Sequence, residues 1–391
     1  MSEHIAIIGG GPIGMAFALA AARLPRCQVT VIEQQPAPDW AKPLTTLDHR
    51  VYALSPGTQR FLAELGAWQH ISAPRITPVR AMQVQGDDEQ SRIQFQQGSP
   101  LAYIVEHAAL MAALYRAAQE TIENGALTLR VGLALETLSA ADDLSRRSLT
   151  LSDGSELSAD LVIGADGSGS RVRALAGIDT RVNDYQSDGV VANFGCEKAH
   201  GGIARQWFRQ DSVLAYLPLP NNQFSIVWSV GHQRAQQLIS LDPASFAAEV
   251  AAAGQHSLGN LVPASPVARF PLKRILAAGW VQPGLALIGD AAHAMHPLAG
   301  QGANLGFADA ACLAQVLQGR SALSRIGDQP LLRRYERSRR EAAWVMGETT
   351  EHLRTLYSSD WAAAKWLRNR GLAALNRLPL AKALLMDYAM L

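Results

Sequence analysis

The 391-residue chain has little cysteine, almost no net charge and no long apolar run, and each of these scarcities excludes a class of protein. Its three cysteines, Cys27, Cys196 and Cys312, are far apart and form neither a CxxC pair nor a Cys/His group at zinc spacing. A disulfide scaffold, a structural zinc and any other metal site are therefore not expected. Thirty-five basic against 34 acidic residues leave a formal charge of +1, so no general attraction to nucleic acid is expected.

The apolar stretches are also too short or too interrupted for a membrane span. The run at 4–24 contains glycines and a proline and lacks the positive segment that begins a secretory signal. No other stretch holds ~20 apolar residues without charge. With 48% hydrophobic and 18% charged residues, the composition is that of a globular protein. We expect a cytoplasmic protein whose contact with the inner face of the membrane, if any, is peripheral.

The pattern along the chain predicts an α/β fold with two lobes. Residues 4–33 have the pattern of strand, glycine turn, helix and strand, which is a βαβ unit. Continuous apolar runs at 161–166 and 285–290 are typical of central strands that are buried on both faces. Between them, alternating segments broken by proline, asparagine and glycine predict an inserted antiparallel sheet. The predicted organisation is a nucleotide-binding domain over 1–184 and 272–330, with part of the second lobe around 75–106, a sheet domain for the substrate over 185–271, and a helical segment over 331–391.

Local signals predict three further features. Residues 56–66 and 107–123 each have helical periodicity, and Asp153-Gly154 is typical of a hairpin turn. After Gly300 the pattern is helical to the end of the chain. Breaks in these helices are predicted near 327–330, 358–359 and Pro379.

A glycine-rich turn follows the first strand and opens the first helix, in the pattern G-x-G-x-x-G at Gly9, Gly11 and Gly14. Gly9 permits the tight turn, Gly11 lets a pyrophosphate approach the backbone, and Gly14 lets the helix pack closely on the strand. The helix start then offers oriented N–H groups to phosphate. Glu33 ends the next strand, where a carboxylate can bind both ribose hydroxyls. The alternative is a tight turn with an exposed glutamate.

A second motif, DGSGSRVR at 166–173, joins an acid, a helix start and an arginine. Asp166 and Gly167 follow a buried strand, and Ser170 and Arg173 lie one turn apart on the helix that begins there. This combination suits a phosphate-bearing cofactor, because the helix start and the guanidinium both attract negative charge. The alternative is an ordinary loop that caps a helix.

The third motif covers residues 289–310 and is the most specific of the three. Asp290 ends a buried strand, where its carboxylate can bond a ribityl hydroxyl. The following loop opens a long helix, whose N–H groups suit the N1–C2=O edge of a flavin, where negative charge gathers on reduction. His293 and His296 are predicted to be structural, because no third metal ligand has suitable spacing. The loop residues predicted to contact the cofactor are Pro297, Gly300, Gln301, Gly302, Ala303 and Asn304.

In this order, the three motifs resemble those of the aromatic-ring hydroxylases, a family of FAD-dependent monooxygenases. HPLAGQGANLGFAD in the third motif is similar to the ubiquinone-biosynthesis branch, the polyprenyl-phenol hydroxylases, as are HRVYAL at 49–54 and RYERSRR at 334–340. The resemblance implies a Rossmann-like FAD-binding domain of the glutathione-reductase type. It makes Arg50 a candidate flavin contact, and also His107, at a helix start where the family often has Arg, Gln or Asn. The alternatives are a surface ion pair for Arg50 and a solvated helix face for RYERSRR.

The resemblance implies an FAD-dependent monooxygenase that uses O₂ to hydroxylate the ring of a polyprenylated phenol through a flavin C4a-hydroperoxide. Only one GxGxxG is present, so electrons are expected from NAD(P)H that docks transiently or from a redox protein. No spacing identifies a catalytic acid or base. A reductase of related fold and a non-catalytic flavoprotein scaffold in a biosynthetic complex are the alternatives. The predicted apolar wall for the substrate consists of Trp207, Phe208, Tyr216, Phe224 and Trp228 in the inserted sheet.

The C-terminal segment 331–391 is basic, with 11 Lys or Arg against 6 Asp or Glu, and it contains Trp344, Trp361 and Trp366. Such a helical end suits contact with anionic lipid or with partner proteins of quinone biosynthesis. The alternative is a helical lid that packs on the FAD domain with its charges solvated.

Overall fold

The computed structural model describes residues 2–36, 44–86, 92–96, 98–209, 211–295 and 301–358. Six strands form its central sheet, from one edge to the other β8 (Leu127–Val131), β2 (Cys27–Glu33), β1 (Glu3–Ile8), β12 (Leu161–Gly164), β20 (Leu285–Leu287) and β19 (Val281–Gln282). The first five are parallel, and β19 is antiparallel to β20. Both predicted apolar runs are therefore confirmed as adjacent central strands, and their side chains are buried.

Four helices pack around this sheet: α1 (Pro12–Ala21), α3 (His107–Glu123), α7 (Gln301–Gln318) and α8 (Gln329–Ser358). α1 contacts both α3 and α7, and α8 packs against α7. α3 has the predicted bounds, whereas the break between α7 and α8 covers 319–328 and so begins earlier than predicted. The predicted break at Pro379 lies outside the described residues. Within the described part of the chain, none of the helices combines the length and the apolar character needed to span a bilayer.

The second lobe is a nine-stranded sheet. In spatial order it contains β21 (His293–Ala294), β18 (Ala268–Ala277), β13 (Thr180–Cys196), β16 (Gln223–Gly231), β15 (Ser212–Leu219), β14 (Ile203–Phe208), β5 (Ala81–Gln85) and β6 (Arg92–Gln96), with β17 (Leu261–Pro263) beside β13. Every pair is antiparallel except β14 with β5. The sheet thus draws strands from both sides of 185–271, including two from the region around 75–106.

Two helices in this lobe were not predicted: α5 (His232–Ser240) and α6 (Pro243–Ala253). They cover one face of the sheet and share a buried cluster with its strands. The start of α6 has a recognisable signal, because Asp242 accepts hydrogen bonds from the N–H groups of Ala244 and Ser245 and Pro243 is the first helical residue. The prediction nevertheless extended the strand pattern of the preceding segments over both helices.

Two three-stranded sheets complete the fold. One contains β3 (Val51–Leu54), β7 (Ala102–Glu106) and β4 (Ile76–Val79); the other contains β9 (Leu135–Leu138), β10 (Arg147–Leu151) and β11 (Glu156–Ala159). The predicted hairpin at Asp153-Gly154 joins β10 to β11, and Gly154 has a positive φ of 79°. The remaining helices are α2 (Pro56–Glu64), where one was predicted, and the short α4 (Arg171–Leu175).

Candidate functional site

A cleft of about 1310 Å³ lies between the carboxyl ends of the central strands and the inserted sheet. This is where a doubly wound sheet gathers its polar loops. The volume exceeds the roughly 300–1,000 Å³ of an ordinary small-molecule site. Of the predicted site residues, Pro297 and Gly300 lie outside the described residues, Gln301 begins α7, and Gly14 is covered. Those that line the cleft are Gly9, Gly11, Glu33, Arg50, His107, Asp166, Gly167, Asp290, Gly302, Ala303 and Asn304.

The three glycines of the first turn have different reasons to lack a side chain. A Cβ on Gly14 would lie 1.9 Å from the carbonyl oxygen of Gly9, and one on Gly9 would lie 2.4 Å from that of Ala165. Gly9 also has a φ of +106°, which favours glycine. Among the described residues, a Cβ on Gly11 would meet no atom within 4 Å other than those of its chain neighbours, although Gly11 lines the cleft. The space at Gly11 is thus free for a ligand, which fits a pyrophosphate.

Glu33 already has a structural task at this turn. Its Oε2 accepts a hydrogen bond from the Gly10 N–H at 2.6 Å, and its Oε1 accepts one from the Gln35 N–H at 2.8 Å. Each carboxylate oxygen can accept more than one bond, so these contacts leave capacity for ribose hydroxyls. The carboxylate is thereby held in position before any ligand arrives.

The second motif caps a helix. Asp166 accepts hydrogen bonds from the Ser170 hydroxyl (2.6 Å) and from the N–H groups of Arg171 (2.7 Å) and Val172 (3.1 Å), at the start of α4. Arg173 is buried and donates to the carbonyl oxygens of Ser168 and Ala291, both at 2.8 Å. Its guanidinium therefore joins the second motif to the third. These side-chain contacts are those of an ordinary loop that caps a helix, which was the alternative interpretation of this motif.

The third motif rests on a buried network that sequence patterns did not predict. Asp309 in α7 is fully buried, and its Oδ2 bonds to His293 Nε2 at 2.6 Å and to the Gly289 N–H at 3.1 Å. Its Oδ1 accepts a bond from Arg339 Nε of α8 at 2.8 Å. Burial alone would raise the pKa of Asp309, but His293 and Arg339 outweigh it and hold that pKa below its usual value. Side chains of α7 and α8 thus hold the turn that carries Asp290 in place.

This network corrects the interpretation of RYERSRR as a solvated helix face. Tyr335 is buried and donates to the Leu287 carbonyl oxygen at 2.8 Å, and Glu336 accepts a bond from the Trp280 N–H at 2.9 Å. With Arg339, they attach α8 to the strand and turn of the third motif. Only part of the segment, including Arg334 and Arg337, is exposed.

Asp290 is the carboxylate that this turn presents to the cleft. Desolvation by the surrounding protein raises the pKa of the Asp290 carboxyl. His293 and Arg50 oppose this rise, and Asp309 adds to it. Asn304 also lines the cleft, but its carboxamide connects α7 to β3 and α2. It donates to the Ala53 carbonyl oxygen (2.9 Å) and accepts from the Ser55 N–H (2.9 Å) and the Thr58 hydroxyl (2.8 Å).

Tyr52 is a cleft residue that the sequence analysis missed. Its hydroxyl lies 2.9 Å from Nδ1 of His107, and the Arg50 guanidinium lies 5.6 Å from the centre of its ring. Burial raises the pKa of Tyr52 to about 12, against the effect of Arg50. Burial, reinforced by Arg50, lowers the pKa of His107 to about 4. Strand alternation could have indicated Tyr52, because it stands two residues after the candidate contact Arg50.

The inserted sheet contributes a row of mainly small aliphatic side chains to the cleft, which its residues Phe95, Phe270, Arg205, Arg269 and Lys273 also line. Neighbours across its strands line the cleft in one row: Gln206, Ala215, Val227, Val191 and Ala268. Gln206 is buried, and within the described residues its side chain has no hydrogen-bond partner.

The prediction of an aromatic wall was therefore wrong. Trp207, Tyr216, Phe224 and Trp228 belong to the cluster under α5 and α6, on the other face of the sheet, and Phe208 packs with Val84. Alternation along the strands explains the position of the four residues under α5 and α6, since a shift of one residue moves a side chain to the opposite face.

Comparison with known proteins places the chain in a family. The FAD binding domain family matches residues 3–350. The chain is 36% identical to 3-demethoxyubiquinol 3-hydroxylase of Escherichia coli, over 99% of this chain and 98% of that protein. It is 31% identical to the mitochondrial ubiquinone biosynthesis monooxygenase COQ6 of Homo sapiens, over 98% and 92% of the two chains.

Solved structures show the same fold at lower identity. PqsL from Pseudomonas aeruginosa, described as a probable FAD-dependent monooxygenase, superposes with a TM-score of 0.74 at 21% identity, over 95% of this chain and 100% of that one. 2-Methyl-3-hydroxypyridine-5-carboxylic acid oxygenase gives 0.71 at 20% identity, over 94% and 96%. Together with the glycine turn at 9–14, the turn that carries Asp290 and the cleft beside them, these findings show that the chain belongs to the FAD-dependent monooxygenases of the ubiquinone-biosynthesis hydroxylase family.

Proposed function

We propose that this protein hydroxylates the aromatic ring of a polyprenylated phenol in ubiquinone biosynthesis. The observation that carries the proposal is one cleft with two unlike walls. One wall offers backbone N–H groups and the carboxylates of Glu33 and Asp290, and the other contains a row of mainly aliphatic side chains. The first suits a dinucleotide and the second suits a hydrophobic ring with a prenyl chain. The two relatives reported above, named as a 3-demethoxyubiquinol 3-hydroxylase and as a ubiquinone biosynthesis monooxygenase, support the same substrate class.

Within this proposal, each polar group of the cleft has a task. The N–H groups at Gly11 and the start of α1 bind the pyrophosphate, Glu33 binds a ribose, and Asp290 binds a ribityl hydroxyl. The first turn of α7 at Gly302 and Ala303 turns its N–H groups to the flavin edge. Bound FAD supplies the oxygen chemistry, using O₂ and electrons from NAD(P)H or a redox protein. The chain's remaining task is to orient the ring and exclude water from it.

The outer face of α8 suits peripheral contact with a membrane that holds such a substrate. Arg333, Arg334, Arg337 and Trp344 are exposed there, and Trp344 retains 55% of its accessible surface. Arginine attracts anionic headgroups, and tryptophan favours the interface. The further tryptophans at 361 and 366 lie outside the described residues. A complex with other proteins of quinone biosynthesis belongs to the same proposal.

Two experiments test the proposal. Purified protein loaded with FAD is expected to oxidise NAD(P)H, or a supplied redox protein, faster when a prenylated phenol is added, and to place one atom of ¹⁸O₂ in the product. Oxidation of NAD(P)H without oxygen that yields a reduced product and no hydroxylated one would indicate a reductase, and FAD uptake without any turnover would indicate a scaffold. Profiling quinone intermediates by mass spectrometry in a strain that lacks the gene identifies the substrate from the compound that accumulates.

A further inference from the structure

Tyr52 and His107 form a hydrogen-bonded pair in the cleft, on backbone that holds them close together. β3 pairs with β7, with Tyr52 opposite Val105, and His107 follows β7 directly as the first residue of α3. The N–H of His107 also donates to the carbonyl oxygen of Arg50 at 2.8 Å. The two rings lie 5.9 Å apart at 59°. The contact is therefore built into the sheet and does not depend on a mobile side chain.

Both members of the pair are neutral near pH 7. The surroundings raise the pKa of Tyr52 to about 12 and lower that of His107 to about 4. The charged groups that act on the pair are Arg50, which directly precedes β3, Asp48 two residues before it and Asp290 from the third motif. A neutral imidazole has one nitrogen that donates and one that accepts. The hydrogen bond to Tyr52 therefore decides which role remains for Nε2 of His107.

Chemistry favours the phenol as the donor in this bond. A phenol O–H is a good donor and its oxygen a weak base, whereas an unprotonated imidazole nitrogen is a strong acceptor. Arg50, close to the tyrosine, places positive charge beside the phenol oxygen and so favours an O–H that points away, towards Nδ1. Nδ1 then accepts, and the proton of the ring resides on Nε2. No described residue accepts a hydrogen bond from that nitrogen, and His107 lines the cleft.

We propose that Tyr52 is a positioning residue: its hydroxyl fixes His107 in the tautomer with the proton on Nε2, so that His107 donates to an oxygen of the bound dinucleotide. The proposal rests on the proposed function only through that cofactor. The same histidine with its proton on Nδ1 would present a lone pair at Nε2, which repels an oxygen that can only accept, such as a phosphate or carbonyl oxygen. Tyr52 thus converts an ambivalent side chain into a hydrogen-bond donor.

The tautomer is measured directly by ¹⁵N NMR on protein without FAD, labelled at histidine. His107 is assigned by the signals that disappear in His107→Gln. The expected result is a protonated-nitrogen shift for Nε2 and a bare-nitrogen shift for Nδ1, unchanged from about pH 5.5 to about pH 8. In Tyr52→Phe the two nitrogens are expected to approach each other in shift, as the tautomers mix. A wild-type protein with the proton on Nδ1 overturns the proposal.

The consequence for the cofactor is measured by titrating FAD into four proteins: wild type, Tyr52→Phe, His107→Gln and the double variant. Loss of one neutral hydrogen bond should raise the Kd of Tyr52→Phe about threefold to tenfold. In the His107→Gln background, Tyr52→Phe should change Kd by less than about twofold, because a carboxamide has no tautomer to fix. Equal weakening in both backgrounds would show a merely structural role and overturn the proposal.

These readouts are separable from those of the proposed function. Thermal unfolding of each protein without FAD checks the fold. The wild-type NMR measurement needs only His107→Gln for its assignment, so an unstable Tyr52→Phe chain leaves the tautomer testable. A chain that binds no FAD would overturn the proposed function and the donor role together, whereas FAD binding with the opposite tautomer overturns only the role of Tyr52.

Discussion

The two walls of the cleft are built in opposite ways. The dinucleotide wall consists of short turns that directly follow strands of the central sheet, at Gly9, Asp166 and Asp290, and it presents much backbone. The inserted-sheet wall presents side chains on strands taken from distant parts of the chain, β5, β13, β14, β15, β16 and β18. A wall of backbone depends on local conformation, whereas a wall of side chains depends on which strand face is turned inwards. The two walls should therefore fail in different ways when mutated.

The largest effect is expected on the dinucleotide wall, from Gly14→Ala. The added Cβ would lie 1.9 Å from the Gly9 carbonyl oxygen, so α1 must move away from the turn. We expect a loss of about 3 kcal/mol or more in the free energy of unfolding, measured by urea denaturation without FAD. Gly11→Ala is the matched control, because within the described part of the chain its Cβ would meet no atom within 4 Å beyond its chain neighbours.

Gly11→Ala should therefore fold normally and yet bind FAD about tenfold or more weakly, because its methyl group occupies the approach of the pyrophosphate. Retention of wild-type FAD affinity in Gly11→Ala would contradict the assignment of this turn to the pyrophosphate.

A comparable effect on stability is expected from Asp309→Asn, which leaves Arg339 and His293 without their buried anion. Removing one partner from a buried charge network costs about 3–5 kcal/mol. The pKa of Asp309 is below its usual value, so its contribution is present above the unfolded pKa of about 4 and is lost as pH falls through the folded pKa. The unfolding free energy of Asp309→Asn should accordingly decline less steeply in acid than that of wild type.

Asp153→Asn is the control for this pH dependence. The pKa of Asp153 is also lowered, chiefly by Ser155, but the carboxylate is exposed. Removal of this carboxylate should leave the decline of the unfolding free energy at acid pH almost as it is in wild type. If the unfolding free energies of wild type and Asp309→Asn declined identically at acid pH, the buried network would not be the source of this pH dependence.

An intermediate effect, confined to the sheet wall, is expected from Gln206→Leu. The change keeps the size of the side chain and removes the only polar member of the cross-strand row. On the proposed function, the KM for the phenol should rise about threefold to tenfold, while FAD affinity stays the same. Trp207→Phe, one residue away on the opposite face, should lower stability and leave KM unchanged. Equal effects of both variants on KM would contradict the assignment of the two faces.

The last effect is expected outside both walls, on α8. Arg333→Glu with Arg337→Glu should weaken flotation on vesicles that contain anionic lipid, since each basic residue near such a surface contributes about 1 kcal/mol. Arg116→Glu, exposed on α3, is the control for a change of charge elsewhere. If the double variant floated with the vesicles as wild type does, the outer face of α8 would not be the membrane contact.

How much could be predicted follows the same division between the walls. The turn at Gly9–Gly14, the strands that precede Asp166 and Asp290, and the bounds of α3 were accessible because residues close in sequence determine them. The support of Asp309 by Arg339 was not, since 30 residues separate partners that only the packing of α8 against α7 brings together. The bond of Tyr52 to His107 spans 55 residues and depends on the pairing of β3 with β7.

The amino-acid sequence by itself determined the class of fold, the three turns and the family, because glycine conformation, strand burial and helix starts are local properties of the chain. Tertiary structure alone decided that the aromatic residues of the inserted sheet lie under α5 and α6, that RYERSRR supports the third motif, and that His107 acquires Tyr52 as a partner. The physical reason is that these outcomes depend on sheet register and helix docking. Both are set by the burial of side chains that are distant in sequence.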